Sequence, residues 1–246
     1  MSKKKSHSNI SFGRGTWSAI ALAMLGLAVV AGFYFEQSTR ISAVEFRGHE
    51  FTTEDALQEA LISPVGLLAD SVDYAGIYSS LIELPYVRDV AVRMTYRGTL
   101  TVEVTERKPI GLLAVKPETY FDSVGVQLPA QWGIGVDVPL VYGFKPTSPG
   151  DTLKGKGFDH IKEFLNAASR DPFGWATLSE VAWNENEGVV ALSSENGVKL
   201  LFGRNRFDQK VSHWKAFYQD VVAHRGINDF RTVDLRFRNQ IVTDEL

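Results

Sequence analysis

Residues 84–111 read LPYVRDVAVRMTYRGTLTVEVTERKPIG, and the rest of the chain is read outward from them. Val90, Val92 and Met94 alternate with Ala91, Arg93 and Thr95. Further on, Leu100, Val102 and Val104 alternate with Thr101, Glu103 and Thr105. Side chains of a strand point to opposite faces in turn, so each arm offers one face to a core and one to water. Arg97-Gly98 falls between the arms, where glycine supplies the positive φ of a tight hairpin turn. Pro85 halts any helix before the hairpin. Pro109 is expected to end its second arm, because proline cannot donate to a ladder.

Upstream, residues 41–47 (ISAVEFR) read as a short strand closed by Gly48. Thr52 is placed to cap a helix beginning at Thr53, with Asp55 in the first turn, where negative charge meets the helix N-terminus favourably. Ala56, Leu57, Ala60 and Leu61 form its apolar face, and Pro64 and Gly66 lie beyond its end. A second helix begins near Asp70 or Ser71. Its Tyr74, Ile77, Tyr78, Leu81 and Ile82 recur at helical spacing and predict one buried stripe. The order strand, helix, helix, strand, strand predicts two helices on one face of a three-stranded sheet.

The first 16 residues carry Lys3, Lys4, Lys5 and Arg14 and no acidic residue. Residues 17–35, WSAIALAMLGLAVVAGFYF, carry no charge. As a helix they would span about 28 Å, close to the hydrocarbon thickness of a bilayer. Trp17 at one end and Phe33, Tyr34 and Phe35 at the other take the places of interfacial aromatics, and the basic front puts the N-terminus in the cytoplasm. A cleaved signal peptide is the competing reading. Against it, the small-residue triplets at Ala19-Ile20-Ala21 and Ala21-Leu22-Ala23 come too early, and the distal end is bulky. The expectation is a cytoplasmic tail over residues 1–16 and an uncleaved transmembrane helix over residues 17–36.

Composition narrows the function. The chain has 246 residues, 44% hydrophobic, with a formal charge of −3, which does not suit a strongly basic nucleic-acid binder. It has no cysteine, which excludes disulfides, thiolate nucleophiles and Cys-ligated metals.

From Pro109 the pattern changes to short strands and turns. Residues 120–126 read as strand, turn and strand, and residues 138–143 as a short buried strand. Residues 145–157 are rich in turn formers and read as a loop. Phe158, Ile161, Phe164, Leu165 and Ala168 mark an amphipathic helix. Strands follow around residues 178–183, 189–192 and 198–202, the last two joined by Asn196-Gly197, a strong hairpin signal. A longer helix runs over residues 208–224. Val211, Trp214, Phe217, Tyr218, Val221 and Val222 form its stripe, and Gly226 sits where the helix stops. The last strand is expected over residues 231–237.

No catalytic constellation emerges. There is no phosphate-binding loop with full spacing, no nucleophile elbow and no His-Glu-x-x-His. Gly155-Lys156-Gly157 reads as a flexible loop. His213 and His224 share a helix face but stand about 16 Å apart along the axis, too far for one metal. Glu103 and Glu106, beside Arg107 and Lys108, read as a solvated strand end. Asp234 and Arg236 read as an exposed face of the last strand or, more sharply, as part of a binding edge.

The order of elements after the apolar segment resembles a POTRA domain. Leu84-Pro85-Tyr86-Val87 and Val102-Glu103-Val104-Thr105-Glu106-Arg107-Lys108-Pro109 resemble the matching run of the FtsQ/DivIB family of bacterial cell-division proteins, with Arg97-Gly98 where Pro-Asn is common. Leu201-Phe202-Gly203-Arg204 with Lys210, and the run from Arg231 to Val242, are similar to the family's later motifs, so the resemblance covers nearly the whole chain. It implies an α+β fold: a single transmembrane helix, a POTRA domain over residues 41–108, and a mainly antiparallel β domain with two helices over residues 109–246. It also implies a non-enzymatic inner-membrane scaffold at the division septum, with no cofactor, metal, nucleic acid or small-molecule substrate. The implied partners are FtsB- and FtsL-like single-span proteins, which add a strand to the C-terminal sheet edge, with the POTRA unit as a further surface for other division proteins. The contacts carried over by motif are Arg236, Phe237, Asn239 and Gln240. Phe237 stands where Tyr is common and Gln240 where Gly is common. POTRA units also occur in envelope protein assembly and secretion factors, which leaves a polypeptide-binding factor as the second reading. The transmembrane barrel such proteins usually carry has no counterpart in this sequence.

Overall fold

A computed structural model describes residues 14–38, 40–95, 97–131 and 133–245. The expected cytoplasmic tail lies outside them except for residues 14–16. Helix α1 covers Arg14–Ser38. Its side chains are described over residues 17–32, and all of these are exposed. Among the described residues no helix is long and apolar enough to cross a membrane. The side chains of Phe33, Tyr34 and Phe35, expected as interfacial aromatics, lie outside the described set.

The next unit is built from β1 (Ala43–Arg47), α2 (Glu54–Ala60), α3 (Tyr74–Ile82), β2 (Val87–Met94) and β3 (Thr99–Glu106), with a short 3-10 turn over Ala69–Ser71. The sheet order is β1-β3-β2. In the hairpin Val90 faces Val104, Val92 faces Val102 and Met94 faces Leu100, so the expected apolar residues of both arms share one face. Strand β1 adds in parallel to the other side of β3. Leu100, Val102 and Val104 are buried against Leu57, Ile77 and Leu81. Each such aliphatic side chain contributes about 1.5–3 kcal/mol by leaving water. Gly98 closes the turn at φ +80°, and a Cβ there would lie 2.3 Å from the Arg40 carbonyl oxygen, so glycine is required on two counts.

Four local expectations change. Thr53, not Thr52, caps α2, and its side chain accepts from the Ala56 N–H. Helix α3 starts at Tyr74 rather than near Asp70, capped by Asp73, whose Oδ1 accepts from the Gly76 N–H at 2.8 Å. Its buried stripe narrows to Ile77 and Leu81. Tyr74 and Tyr78 are exposed, because so short a helix buries one line of side chains and the tyrosines flank it. Pro109 does not end β3, which stops at Glu106; it opens the next strand, a position that needs no donor.

The second sheet has nine strands in the order β12-β11-β10-β9-β8-β7-β4-β5-β6. They are β4 (Pro109–Leu113), β5 (Thr119–Asp122), β6 (Gln127–Pro129), β7 (Leu140–Tyr142), β8 (Leu178–Asn184), β9 (Gly188–Ser193), β10 (Lys199–Gly203), β11 (Phe230–Asp234) and β12 (Val242–Glu245). Most pairings are antiparallel; β4 with β7, β7 with β8, and β10 with β11 are parallel. Helices α4 (Phe158–Ser169) and α6 (Phe207–Phe217) supply Phe158, Ile161, Phe164, Leu165, Val211 and Trp214 to a core shared with the sheet. Asn196 and Gly197, with φ values of +56° and +60°, lie in the loop closed where the Ser193 N–H donates to the Val198 carbonyl.

Two expected helices become more. A short α5 (Pro172–Ala176) follows α4, capped by Asp171, which accepts from the Phe173 and Gly174 N–H groups, with Pro172 in its first turn. The long C-terminal helix is α6, a π-helical turn over Tyr218–Val222 and a last turn α7 (Ala223–Arg225). The wider turn rotates the stripe: Val222 is buried while Phe217, Tyr218 and Val221 are half-buried.

Candidate partner-binding surface

The C-terminal edge differs from the expectation. The strand expected over residues 231–237 as the open edge ends at Asp234, and β12 pairs antiparallel to it, Asp234 facing Val242 and Val233 facing Thr243. Among the described residues the open edge at this end is therefore β12, which stands last in the strand order. Arg225 Nη1 reaches Glu245 Oε1 at 2.9 Å and holds Glu245 below the usual carboxylate range. Arg231 approaches Asp244 at 3.8 Å. Both pairs are exposed and contribute little, so pairing rests on backbone hydrogen bonds.

Arg236, Phe237, Asn239 and Gln240 all lie in the β11–β12 connection and all are exposed. Phe237, 44% exposed, is the large apolar side chain of this loop facing water. Asn239 and Gln240 border a groove of about 510 Å³ with Ile241, opposite His213, Phe217 and Val221. Arg236 is turned inward: its Nε and Nη2 donate to the Asp234 carboxylate at 2.9 and 2.5 Å. Asp234 is buried, not part of an exposed face. Burial would raise its pKa, but the bonds from Arg236 outweigh that and hold the carboxyl below its usual range. Arg236 thus braces the end of β11, while the other three present atoms outward.

Behind this brace lies Lys210, also buried, whose Nζ donates to the Phe202 carbonyl at 2.6 Å. Burial, then the nearby Arg206, pushes its pKa down, and Asp234 pulls the other way. Gly203, at φ +75°, is where β10 passes beneath: a Cβ there would sit 3.1 Å from Arg236 and 3.3 Å from Lys210 Nζ. The Gly203, Lys210 and Arg236 positions, separate along the chain, form one packed group under the edge.

A second constellation lies at the seam between the two sheets. Glu106 is not a solvated strand end. It is 8% exposed, and its carboxylate accepts from the backbone N–H groups of Glu50, Phe51 and Thr52 at 2.6, 2.8 and 2.7 Å. Glu103 is half-buried, its carboxylate 3.5 Å from Arg93. Phe51 stacks on Tyr86 with centroids 5.0 Å apart, and the Tyr86 hydroxyl donates to the Pro129 carbonyl at 2.8 Å. Arg107 Nη1 bonds Asp122 Oδ2 at 2.9 Å. Asp122 Oδ1 also accepts from the Val124 and Val126 N–H groups, closing the β5–β6 turn. Beside these contacts lies a cavity of about 450 Å³, bordered by Arg88, Glu106, Arg107 and Asp122.

The remaining polar motifs have structural roles. Gly157 precedes α4 at φ +84°, and Lys156 pairs with Glu185 at 2.8 Å. His160 stacks on Trp183 with centroids 4.7 Å apart. Among the described residues no cluster of three His, Cys, Asp or Glu could hold a metal ion.

A small α+β unit bearing two helices on a three-stranded sheet, followed by a broad sheet with an open terminal strand, defines a POTRA-type module joined to a β domain. The sequence model for the POTRA domain, FtsQ-type, matches residues 39–107, and that for FtsQ/DivIB, C-terminal related, matches residues 108–244. The chain belongs to the FtsQ/DivIB family of bacterial cell-division proteins. It is 29% identical over 231 residues to the cell division protein FtsQ of Rhodothermus marinus, an alignment covering 90% of this chain and 83% of that protein. It is 24% identical over 249 residues to FtsQ of Salinibacter ruber, covering 95% of each. To FtsQ of Geobacter sp. it is 22% identical over 179 residues, 71% of this chain and 65% of that protein.

Proposed function

We propose that this chain is a non-enzymatic scaffold of the division machinery. Helix α1 anchors it in the inner membrane, with the N-terminus in the cytoplasm, a POTRA domain over residues 41–108 and a β domain over residues 109–246 outside. It recruits FtsB- and FtsL-like single-span proteins by strand addition at its C-terminal edge. The observation that carries this reading is the open β12 strand beside exposed Phe237, Asn239 and Gln240. An unpaired strand offers a row of N–H and C=O groups, and neighbouring side-chain sites give a partner its register. Arg236 acts here as the brace that holds the β11–β12 connection in shape. The anchor is supported by the uncharged run over residues 17–35 and by the exposure of every described side chain in α1.

The test is capture of the FtsB-like partner by the full-length protein in detergent. Phe237→Asp and Gln240→Lys are each expected to abolish capture while circular dichroism stays native. Undiminished capture by both variants sinks the site. Deleting residues 1–36 is expected to release a monodisperse soluble fragment, and a fragment that stays with membranes counts against the anchor.

A further inference from the structure

Residues 61–68, LISPVGLL, carry no charge, and three of their large side chains stand in water. Ile62 is 89% exposed, Val65 51% and Leu67 46%. Beside them a shallow groove of about 180 Å³ runs between the loop and α3, lined by Leu61, Ile62, Pro64, Leu67, Val72 and Ile77. Exposed loops are ordinarily built from polar turn residues. This one pairs its Pro64 and Gly66 with apolar side chains that cover nothing.

The loop's place in the chain says what they meet. The Ile41 N–H donates to the Leu67 carbonyl at 3.0 Å, and the Gly66 N–H donates to the Ile41 carbonyl at 2.8 Å. Arg40 forms an antiparallel bridge with Leu68, and its Nη1 donates to the Gly66 carbonyl at 2.9 Å. Arg40 is two positions after Ser38, the last residue of α1. The Arg97-Gly98 turn is tied to the same end, since the Ser42 N–H donates to the Gly98 carbonyl at 2.8 Å. One pole of the POTRA unit therefore gathers the exit of α1, an apolar loop and the side chains of Arg40 and Arg97.

We propose that the 62–67 loop is a second membrane contact, which seats the POTRA unit on the lipid surface where α1 emerges. This rests on the anchor reading above. From Phe35 to Ser38 a helix rises about 4.5 Å, and two further residues reach at most about 7 Å, so Arg40 stands within about 12 Å of the hydrocarbon edge. The headgroup layer takes up roughly half of that upper bound. Ile62, Val65 and Leu67 then enter the headgroup–acyl boundary, and Arg40 lies at the level of the lipid phosphates. Tyr74, exposed in the first turn of α3, takes an interfacial position. Three side chains give only weak binding by themselves, so the contact forms because α1 holds the loop against the bilayer.

The absence of cysteine makes the test direct. Single substitutions Val65→Cys, Leu27→Cys and Tyr142→Cys, each labelled with an environment-sensitive NBD fluorophore, are placed in the full-length protein in phosphatidylethanolamine–phosphatidylglycerol nanodiscs. Nitroxide lipids labelled at the headgroup or at mid-chain are the quenchers. The expected result is a loss of roughly half the emission or more at position 65 with the headgroup quencher, since interfacial side chains sit about 5–10 Å into that boundary. Position 27 should respond to the mid-chain quencher and position 142 to neither. Quenching at 27 with position 65 behaving like 142 overturns the inference and leaves the anchor standing. No quenching at 27 or 65 overturns both. A blue-shifted but unquenched label at 65 marks a second copy or a protein partner there and equally overturns the lipid assignment.

Discussion

Replacing Glu106 by Gln changes one atom and should loosen the whole 48–52 turn. The carboxylate serves three backbone donors: Oε2 accepts from Glu50 and Phe51, and Oε1 accepts from Thr52. A glutamine has one acceptor oxygen. The better of its two orientations keeps that oxygen on Glu50 and Phe51 and turns the amide NH2 onto the Thr52 N–H. One charge-assisted bond, worth about 1.5–3 kcal/mol, is lost, and the other two weaken to neutral bonds. The total is about 2–4 kcal/mol. Glu106→Ala leaves three donors without an acceptor; water entering from the adjoining cavity offsets part of that, for a cost of about 3–5 kcal/mol. Hydrogen exchange read by mass spectrometry on residues 49–53 of the full-length protein reports the change. In Glu106→Gln these amides should exchange between about 30-fold and several hundred-fold faster, at tenfold per 1.4 kcal/mol. Exchange unchanged at residues 50–52, with an unchanged denaturation midpoint, would refute the assignment of Glu106 as the acceptor that organises this turn.

Three further outcomes are expected. Burial, then Tyr120 and Glu106, push the Tyr86 hydroxyl up to about 12, so its stabilisation is complete below the ordinary value of 10.0 and is lost as pH rises toward 12. Tyr86→Phe should cost about 1 kcal/mol at neutral pH and remove that alkaline loss, measured by urea denaturation across the range. Asp234 has a lowered pKa, so its contribution is full above the ordinary 3.8 and is lost as pH falls through the lowered value. Asp234→Asn should be less stable than wild type at neutral pH and lose less stability on acidification, in the same assay. A Cβ at Gly157 would lie 2.2 Å from the Trp183 ring at a φ of +84°. Gly157→Ala should therefore cost about 2–4 kcal/mol and shift tryptophan emission, visible in a thermal melt followed by fluorescence.

What the sequence could show tracks whether partners are local. The 90–104 hairpin is legible because alternation and a turn glycine lie within one short window. Helix α4 is legible for the same reason: all five of its expected core residues are buried. Glu106 looks like a solvated strand end because its partners are backbone N–H groups more than fifty positions away, and backbone donors leave no mark in a side-chain pattern. Asp234 reads as exposed for a similar reason, since the charge it faces from inside, Lys210, belongs to another element. Strand β12 escapes notice because an outer strand with mostly exposed side chains has no apolar alternation to display. Consequently the strand edge is placed one strand too early, at β11 instead of β12, and Phe237, Asn239 and Gln240 fall in the connection between the two. Helix α5 did have a signal, Asp171 followed by Pro172, the usual cap and first-turn pair.

The strand order also sets a distance. The seam with the first unit abuts β6, through Tyr86 and Pro129, while the open edge is β12 at the opposite margin of the nine-stranded sheet. Eight spacings of about 4.8 Å put the two margins about 38 Å apart. On the proposed reading, a single-span partner that joins at β12 must cross that width before its strand can pair. At 1.5 Å per residue this corresponds to about 25 residues of helix. If the proposed recruitment holds, the breadth of the sheet would act as a gauge on the length of the stalk that carries a partner's pairing strand.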